Sequence, residues 1–107
     1  MFQDTEITTP ATLAFEPHIP SIIFDALGGF PGLARIGASS FKADVNCLQF
    51  EVCAHLTREK INMVSILGFY SPIYFVFDVY LYNIEGVCLR YEFCLDKEEL
   101  VEMVKTI

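Results

Sequence analysis

One short stretch of the chain brings a nucleophile, a base and an acid together: Glu51, Cys53 and His55. Cysteine-dependent enzymes pair a thiol with an imidazole, because the ring accepts the thiol proton. The stretch alternates with the period of a strand, and residues two apart on a strand lie about 7 Å apart with parallel side chains. That spacing is too long for a thiol–imidazole hydrogen bond. No catalytic residue is therefore predicted, and a cysteine enzyme ranks last of three hypotheses.

The four cysteines form two pairs with the same spacing, Cys47 with Cys53 and Cys88 with Cys94. Six residues of strand span about 20 Å, so neither pair can close on itself. Without a secretory signal, free thiols in a reducing compartment are expected. The spacings of the cysteines and His55 match no zinc motif. No metal and no cofactor are predicted.

A second set of residues could recognise a partner, because aromatic hydroxyls and charges share one predicted sheet face. Tyrosine offers a large contact area at a small loss of conformational entropy, and uncompensated carboxylates attract a cationic partner. Asp78 is expected directly opposite Glu92, where like charges destabilise a strand pair. Either Arg90 or a bound partner must relieve them. The alternative is a solvated face partly covered by the N-terminal arm. The predicted partner-binding residues are Glu51, Tyr74, Asp78, Tyr80, Tyr82, Arg90 and Glu92.

The elements that must position this face lie between Ile73 and Leu95, where two runs alternate with a period of two. Such alternation predicts two strands, each with one buried face. A three-residue loop ending in a left-handed Gly86 keeps both apolar sets on one side. The expected facing pairs are Phe77 with Phe93, Val79 with Tyr91, Leu81 with Leu89, Tyr80 with Arg90, Tyr82 with Cys88, and Asp78 with Glu92.

A second hairpin is predicted upstream. Apolar residues from Leu48 to Leu56 alternate, and the polar loop 57–60 leads into residues 61–69, with Leu56 opposite Ile61. Residues 57–67 could also form a helix, but Val64 and Ile66 favour a strand.

The N-terminal residues 1–19 are predicted to form an extended arm, because prolines interrupt them, and a short edge strand over 12–16 is an option. Residues 20–107 are expected to form one α+β domain. Ser21 is expected to cap a two-turn helix that Gly28 and Gly29 end. A loop over 30–32 and a weak strand over 33–41 follow.

The C-terminal residues carry the signals of a capped helix. Asp96 and Glu99 are spaced as a capping box, and the apolar stripe should pack on the sheet: Leu100, Val101, Val104 and Ile107. The predicted fold class is α+β, an antiparallel four- to five-stranded meander with a short N-terminal helix and a C-terminal helix packed on one face.

Charge limits the partners that this chain can have. Its 107 residues carry a net charge of −7, which repels phosphate backbones, so nucleic acid is not expected. The start has no basic region typical of a signal peptide. The longest charge-free run, residues 61–77, has 17 residues, fewer than the roughly 20 of a spanning helix. A cytoplasmic location without membrane contact is expected.

Three functions remain. The first is a small acidic protein-binding module that neutralises or inhibits a basic protein. In size, charge and lack of catalytic motifs, the chain is similar to immunity proteins paired with bacterial toxins and to phage-encoded inhibitors, which implies a basic protein partner such as a toxin. The second is a secretion-chaperone-like escort that acts as a homodimer. The third is the cysteine enzyme.

Overall fold

The alternating segments form one antiparallel sheet whose strands lie side by side in chain order. The computed structural model describes residues 19–70 and 74–107. Its strands are β1 Ser39–Ala43, β2 Cys47–Glu51, β3 Met63–Tyr70, β4 Phe75–Tyr82 and β5 Cys88–Leu95. Its helices are α1 Ile19–Ala26, α2 Gly29–Leu33 and α3 Lys97–Lys105, with 3-10 turns at Ala34–Ile36 and Ala54–Leu56. The predicted α+β meander is confirmed.

The core lies between one sheet face and the helices. Across the three central strands, Phe50 faces Val64, and Val64 in turn faces Leu81. All three side chains are fully buried, and each such burial contributes about 1.5–3 kcal/mol. Alternation in β2 and β4 therefore contributes to the core as the sequence pattern predicts. In β3, Val64 and Ile66 face the core, whereas the predicted pairing placed Ile61 and Met63 on that side.

The predicted cap of α3 is confirmed. The Glu99 amide donates to the Asp96 carboxylate at 2.8 Å, and the Asp96 amide donates to Glu99 Oε1 at 2.9 Å. Leu100 is buried as predicted. Val101 is only half-buried, and Met103 is buried instead. The apolar stripe is thus rotated slightly from the predicted one.

The segment after α1 differs from the prediction. Ser21 lies within α1 rather than capping it, and residues 29–33 form the short helix α2 where a loop was expected. The Phe30 ring stabilises α2, because its centroid lies 4.7 Å from that of Phe24 and 5.6 Å from that of Phe41. The strand expected over 33–41 begins only at Ser39. The predicted arm falls almost wholly outside the described residues.

The connection between β2 and β3 is longer than predicted. Glu51 faces Met63, so the expected pairing of Leu56 with Ile61 is wrong. The Thr57 hydroxyl supports the connection, because it accepts from the Ile61 amide at 2.7 Å and donates to the Ala54 carbonyl at 2.9 Å. From residue 63 onward the preference for strand over helix is confirmed.

The hairpin turn between β4 and β5 is as predicted, but the register beyond it is not. The Asn83 amide donates to the Val87 carbonyl at 3.0 Å around a three-residue loop, and Gly86 has a φ of 82°. Tyr82 faces Cys88, but Leu81 then faces Arg90. Leu89 is therefore an extra residue, a β-bulge.

Because of the bulge, the side chains in the middle of β5 point to the opposite face from the one predicted. Tyr80 faces Tyr91 and Val79 faces Glu92, and a second irregularity brings Leu95 opposite Phe77. The predicted pairs Phe77 with Phe93, Val79 with Tyr91, Leu81 with Leu89, Tyr80 with Arg90, and Asp78 with Glu92 are wrong. A shift of one residue moves every side chain to the other face.

Candidate partner-binding surface

We call the sheet face turned away from the core the open face. Adjacent strands place its residues in rows, because directly opposed residues point to the same side. One row runs from Lys42 through Gln49, Ser65 and Tyr80 to Tyr91. The face is thus polar at the β1 edge and aromatic at the β5 edge.

Four rings at the β5 edge form what we call the aromatic cluster: Tyr80, Tyr82, Tyr91 and Phe93. The Tyr91 and Phe93 centroids are 5.0 Å apart in a stacked arrangement, and the Tyr80 and Phe93 centroids are 5.7 Å apart. Tyr80 stacks on Tyr82 at 6.5 Å. Tyr91 remains 59% exposed and Phe93 49% exposed. These aromatic rings therefore pack against one another while Tyr91 and Phe93 remain exposed to solvent.

The structure brings together only some of the predicted site residues. Asp78, Tyr80 and Tyr82 share the open face on β4, and Glu51 lies in the same row as Tyr82, with Met63 between them. Tyr74 is 69% exposed just before β4.

Arg90 and Glu92 are not part of the open face, because the bulge at Leu89 turns them to the helix side. Arg90 Nη2 donates to the Thr106 hydroxyl at 2.8 Å. Arg90 Nε lies 3.4 Å from Glu59 Oε1, close enough for an ion pair, but without hydrogen-bond geometry. Arg90 therefore holds the end of α3 rather than neutralising the open face.

Asp78 has a different neighbour from the one predicted. Its Oδ1 accepts a hydrogen bond from the Cys94 amide at 2.9 Å. Cys94 has a φ of 58°, in the left-handed region. The carboxylate thus fixes the second irregularity of β5, and it does not face another acid.

A shallow recess of about 280 Å³ adjoins the aromatic cluster. Gln49, Met63, Ser65 and Tyr82 line its sides, and the Ser65 hydroxyl donates to Gln49 Oε1 at 3.3 Å. Burial raises the pKa of the Tyr82 hydroxyl, and nearby thiols and Tyr80 add to the effect. The recess therefore presents an aromatic wall at Tyr82, and the exposed Glu51 lies across Met63 from that wall.

A second groove, of about 440 Å³, lies between β5 and α3, and its lining includes Glu92, Glu98, Glu99 and Glu102. Part of this charge is already engaged. Glu99 completes the helix cap, and Glu102 pairs with Lys105 at 3.1 Å.

The thiol and imidazole of Cys53 and His55 lie closer than predicted. Cys53 Sγ is 3.4 Å from His55 Nε2 and 3.6 Å from Nδ1. The strand ends at Glu51, and the 3-10 turn Ala54–Leu56 folds the two side chains together. The sulfur is almost equidistant from both ring nitrogens, whereas a nitrogen aimed at it would leave the other much farther away. The pair is in contact, but neither nitrogen is aligned for proton transfer.

Sequence reasoning missed Tyr91 and Phe93, which strict alternation assigns to the core. One signal could have revealed them. Unbroken alternation sets Asp78 against Glu92, an unfavourable pair of like charges, and a single bulge removes that conflict.

No protein-family model, curated protein or solved structure matches this chain. The described residues contain no group of three or more His, Cys, Asp or Glu side chains that could hold a metal ion. Within the same ranges no single helix is long and apolar enough to cross a membrane. Within residues 19–70 and 74–107, the pair Ile19–Ala26 and Gly29–Ile36 is long and apolar enough when counted together, but it is bent by 60°.

Proposed function

We propose that this protein binds a basic protein through the open face and neutralises it, as toxin-immunity proteins and phage inhibitors do. The observation that carries the proposal is the aromatic cluster, exposed on the surface of a chain with a net charge of −7. The interacting residues are Glu51, Asp78, Tyr80 and Tyr82, now joined by Tyr91 and Phe93.

The aromatic cluster supports a protein partner. Each square ångström of apolar surface left in water forgoes about 25 cal/mol of burial free energy. Tyrosine and phenylalanine are enriched at protein interfaces, and aromatic anchors commonly dominate the binding energy. Rings that already pack against one another lose little further freedom when a partner covers them.

The charges favour a basic partner. The acidic field steers a cationic protein towards the surface. Near the aromatic cluster, Glu51 is exposed and has no ion-pair partner among the residues that the structure describes. A lysine or arginine side chain in the recess would lie against the Tyr82 ring, where a cation is attracted to the aromatic face. Lys42 lies opposite Gln49, at the β1 side of the recess.

The test starts from capture of basic proteins from a lysate of source cells, followed by titration of each purified, folded candidate. We expect a one-to-one complex whose association slows as salt rises. Phe93→Ala should weaken binding at least about tenfold, as loss of an anchor residue does. Phe30→Ala is the matched control, because Phe30 is 64% exposed and packs beside α1, far from the open face.

A second pair of variants tests the charge. Glu51→Gln should weaken binding, whereas Glu98→Gln removes the same charge from the first turn of α3 and should leave binding nearly unchanged. Equal effects of the two variants would mean that only net charge matters. A partner that binds only when unfolded would favour the escort hypothesis and contradict ours.

A further inference from the structure

The outer edge of β5 is an unused pairing surface. β5 is the last strand of the sheet, so within the described part of the chain no strand lies beyond it. Free edges pair readily unless charge, shortness or distortion prevents it. The opposite edge is protected by its shortness, because β1 has only five residues. β5 carries the charges of Arg90 and Glu92 and two irregularities, so only a strand that matches them can pair with it. β5 has eight residues, most of them exposed.

The sequence of β5 is self-complementary about Tyr91. Counted outward from that residue, Arg90 matches Glu92, Leu89 matches Phe93, and Cys88 matches Cys94. Antiparallel pairing of two identical strands about Tyr91 therefore sets opposite charges against each other and apolar side chains against apolar ones. Each such cross-strand pair contributes about 0.2–1 kcal/mol, and two-fold symmetry makes every off-axis pair occur twice.

We infer that β5 pairs antiparallel with β5 of a second copy of this chain, across a two-fold axis at Tyr91. Opposed residues share a face, so the two aromatic clusters become one continuous surface. On the helix side, Arg90 meets Glu92 of the second copy. Leu89, 42% exposed, and Phe93, 49% exposed, lose part of their contact with water.

The two bulges of β5 agree with this register. The extra residue Leu89 lies two positions before Tyr91, and the second irregularity lies between the partners of Val79 and Phe77, at residues 93–94. Antiparallel pairing sets each bulge of one strand against the other bulge of its partner, so the two departures from regular spacing coincide. The inference does not depend on the proposed basic partner.

Cross-linking tests the register directly. In a background with Cys88→Ser and Cys94→Ser, Tyr91→Cys places two thiols directly opposite each other, with Cα atoms about 4.5–5.5 Å apart. That separation suits a disulfide. Diamide accepts the two electrons and two protons that the thiols release. We expect a covalent dimer of twice 12.1 kDa, that is 24.2 kDa.

The matched control is Phe93→Cys in the same background. Its introduced thiols lie off the two-fold axis, and each is opposite Leu89 of the other copy. Little disulfide-linked dimer should therefore form. Equal cross-linking of the two variants would overturn the register. A wild-type chain that sediments as a monomer at every concentration would overturn the inference as a whole.

Charge exchange gives a second measurement on the protein without added cysteines. Sedimentation is followed at about 0.15 M salt, where screening over about 8 Å reduces the repulsion between two acidic copies. Glu92→Arg should raise the dimer dissociation constant at least about threefold, because it faces Arg90 of the second copy. Asp25→Arg makes the same change of net charge on α1, away from β5, and should leave the dimer dissociation constant nearly unchanged. Equal effects of the two variants, with both folded by circular dichroism, contradict the pairing.

Discussion

The inner strands β2 and β4 and the edge strand β5 carry the same alternating sequence pattern with different results. In β2 and β4, alternation assigns side chains to the correct face, and Phe50 and Val79 are fully buried. In β5 the same alternation assigns Tyr91 and Phe93 to the wrong face. A central strand has two neighbours that fix its register, whereas an edge strand has one and tolerates bulges. Period therefore predicts the faces of the inner strands β2 and β4, whereas the face of β3 depends on the length of the connection before it, which was predicted too short.

The largest contrast should come from deleting one residue in each kind of strand. Deletion of Val79 moves the side chains of part of β4 to the opposite face of the sheet. It should remove most of the free energy of unfolding, which is about 5–15 kcal/mol for a folded domain. Deletion of Leu89 removes only the extra residue and keeps the pairs Tyr82–Cys88 and Leu81–Arg90, so the loss should be under about 2 kcal/mol. Thermal unfolding by circular dichroism measures both. If both deletions abolish folding, Leu89 is not a bulge.

The next contrast uses two phenylalanines that strict alternation places together. Phe77 is 2% exposed and Phe93 is 49% exposed. Phe77→Ala should lower the free energy of unfolding by about 3–5 kcal/mol, as core truncations do. Phe93→Ala should lower it by less than about 1 kcal/mol. Urea denaturation gives both values, and similar losses would contradict the inverted register of β5.

The Asp78 carboxylate gives a smaller effect. Asp78→Ala leaves the Cys94 amide without its acceptor and should reduce stability by about 1–2 kcal/mol. Asp78→Asn keeps an oxygen in place and should lose less. If Asp78 instead faced Glu92, both variants would relieve repulsion and stabilise the protein. Urea denaturation at neutral pH separates the two cases by sign.

The smallest effect should appear at alkaline pH. Burial raises the pKa of the Cys47 thiol, and the Asp44 carboxylate adds to it. The folded state thus holds this proton more tightly than the unfolded chain does. The stabilisation is complete below the unfolded pKa of about 8.5 and is lost as pH rises through the folded pKa. Cys47→Ala should flatten the alkaline decline in stability, whereas Cys88→Ala, at an exposed thiol, serves as the control. If stability declines equally at alkaline pH in the wild type and in Cys47→Ala, the decline does not come from the Cys47 thiol.

The sequence predicts the fold where local signals agree with packing. The capping box at Asp96, the loop ending in Gly86 and the alternation of β2 and β4 are all confirmed. It fails where tertiary contacts override local preference. Phe30 holds a helix across Gly29–Leu33 because its ring packs on two other rings. Of the predicted partner-binding residues, Asp78, Tyr80 and Tyr82 share the open face because β4 presents the predicted face. Arg90 and Glu92 do not, because the extra residue Leu89 turns their side chains to the helix side.

The most direct test of the account is proton–proton contact between aromatic rings in solution, measured by NMR. The central claim is that the bulge at Leu89 turns the β5 rings towards Tyr80 on the open face. We predict nuclear Overhauser effects between Tyr80 and both Tyr91 and Phe93, whose ring centroids lie 6.5 Å and 5.7 Å from that of Tyr80. We predict none between Phe77 and Phe93. A clear Phe77–Phe93 effect without the Tyr80 contacts would contradict the account.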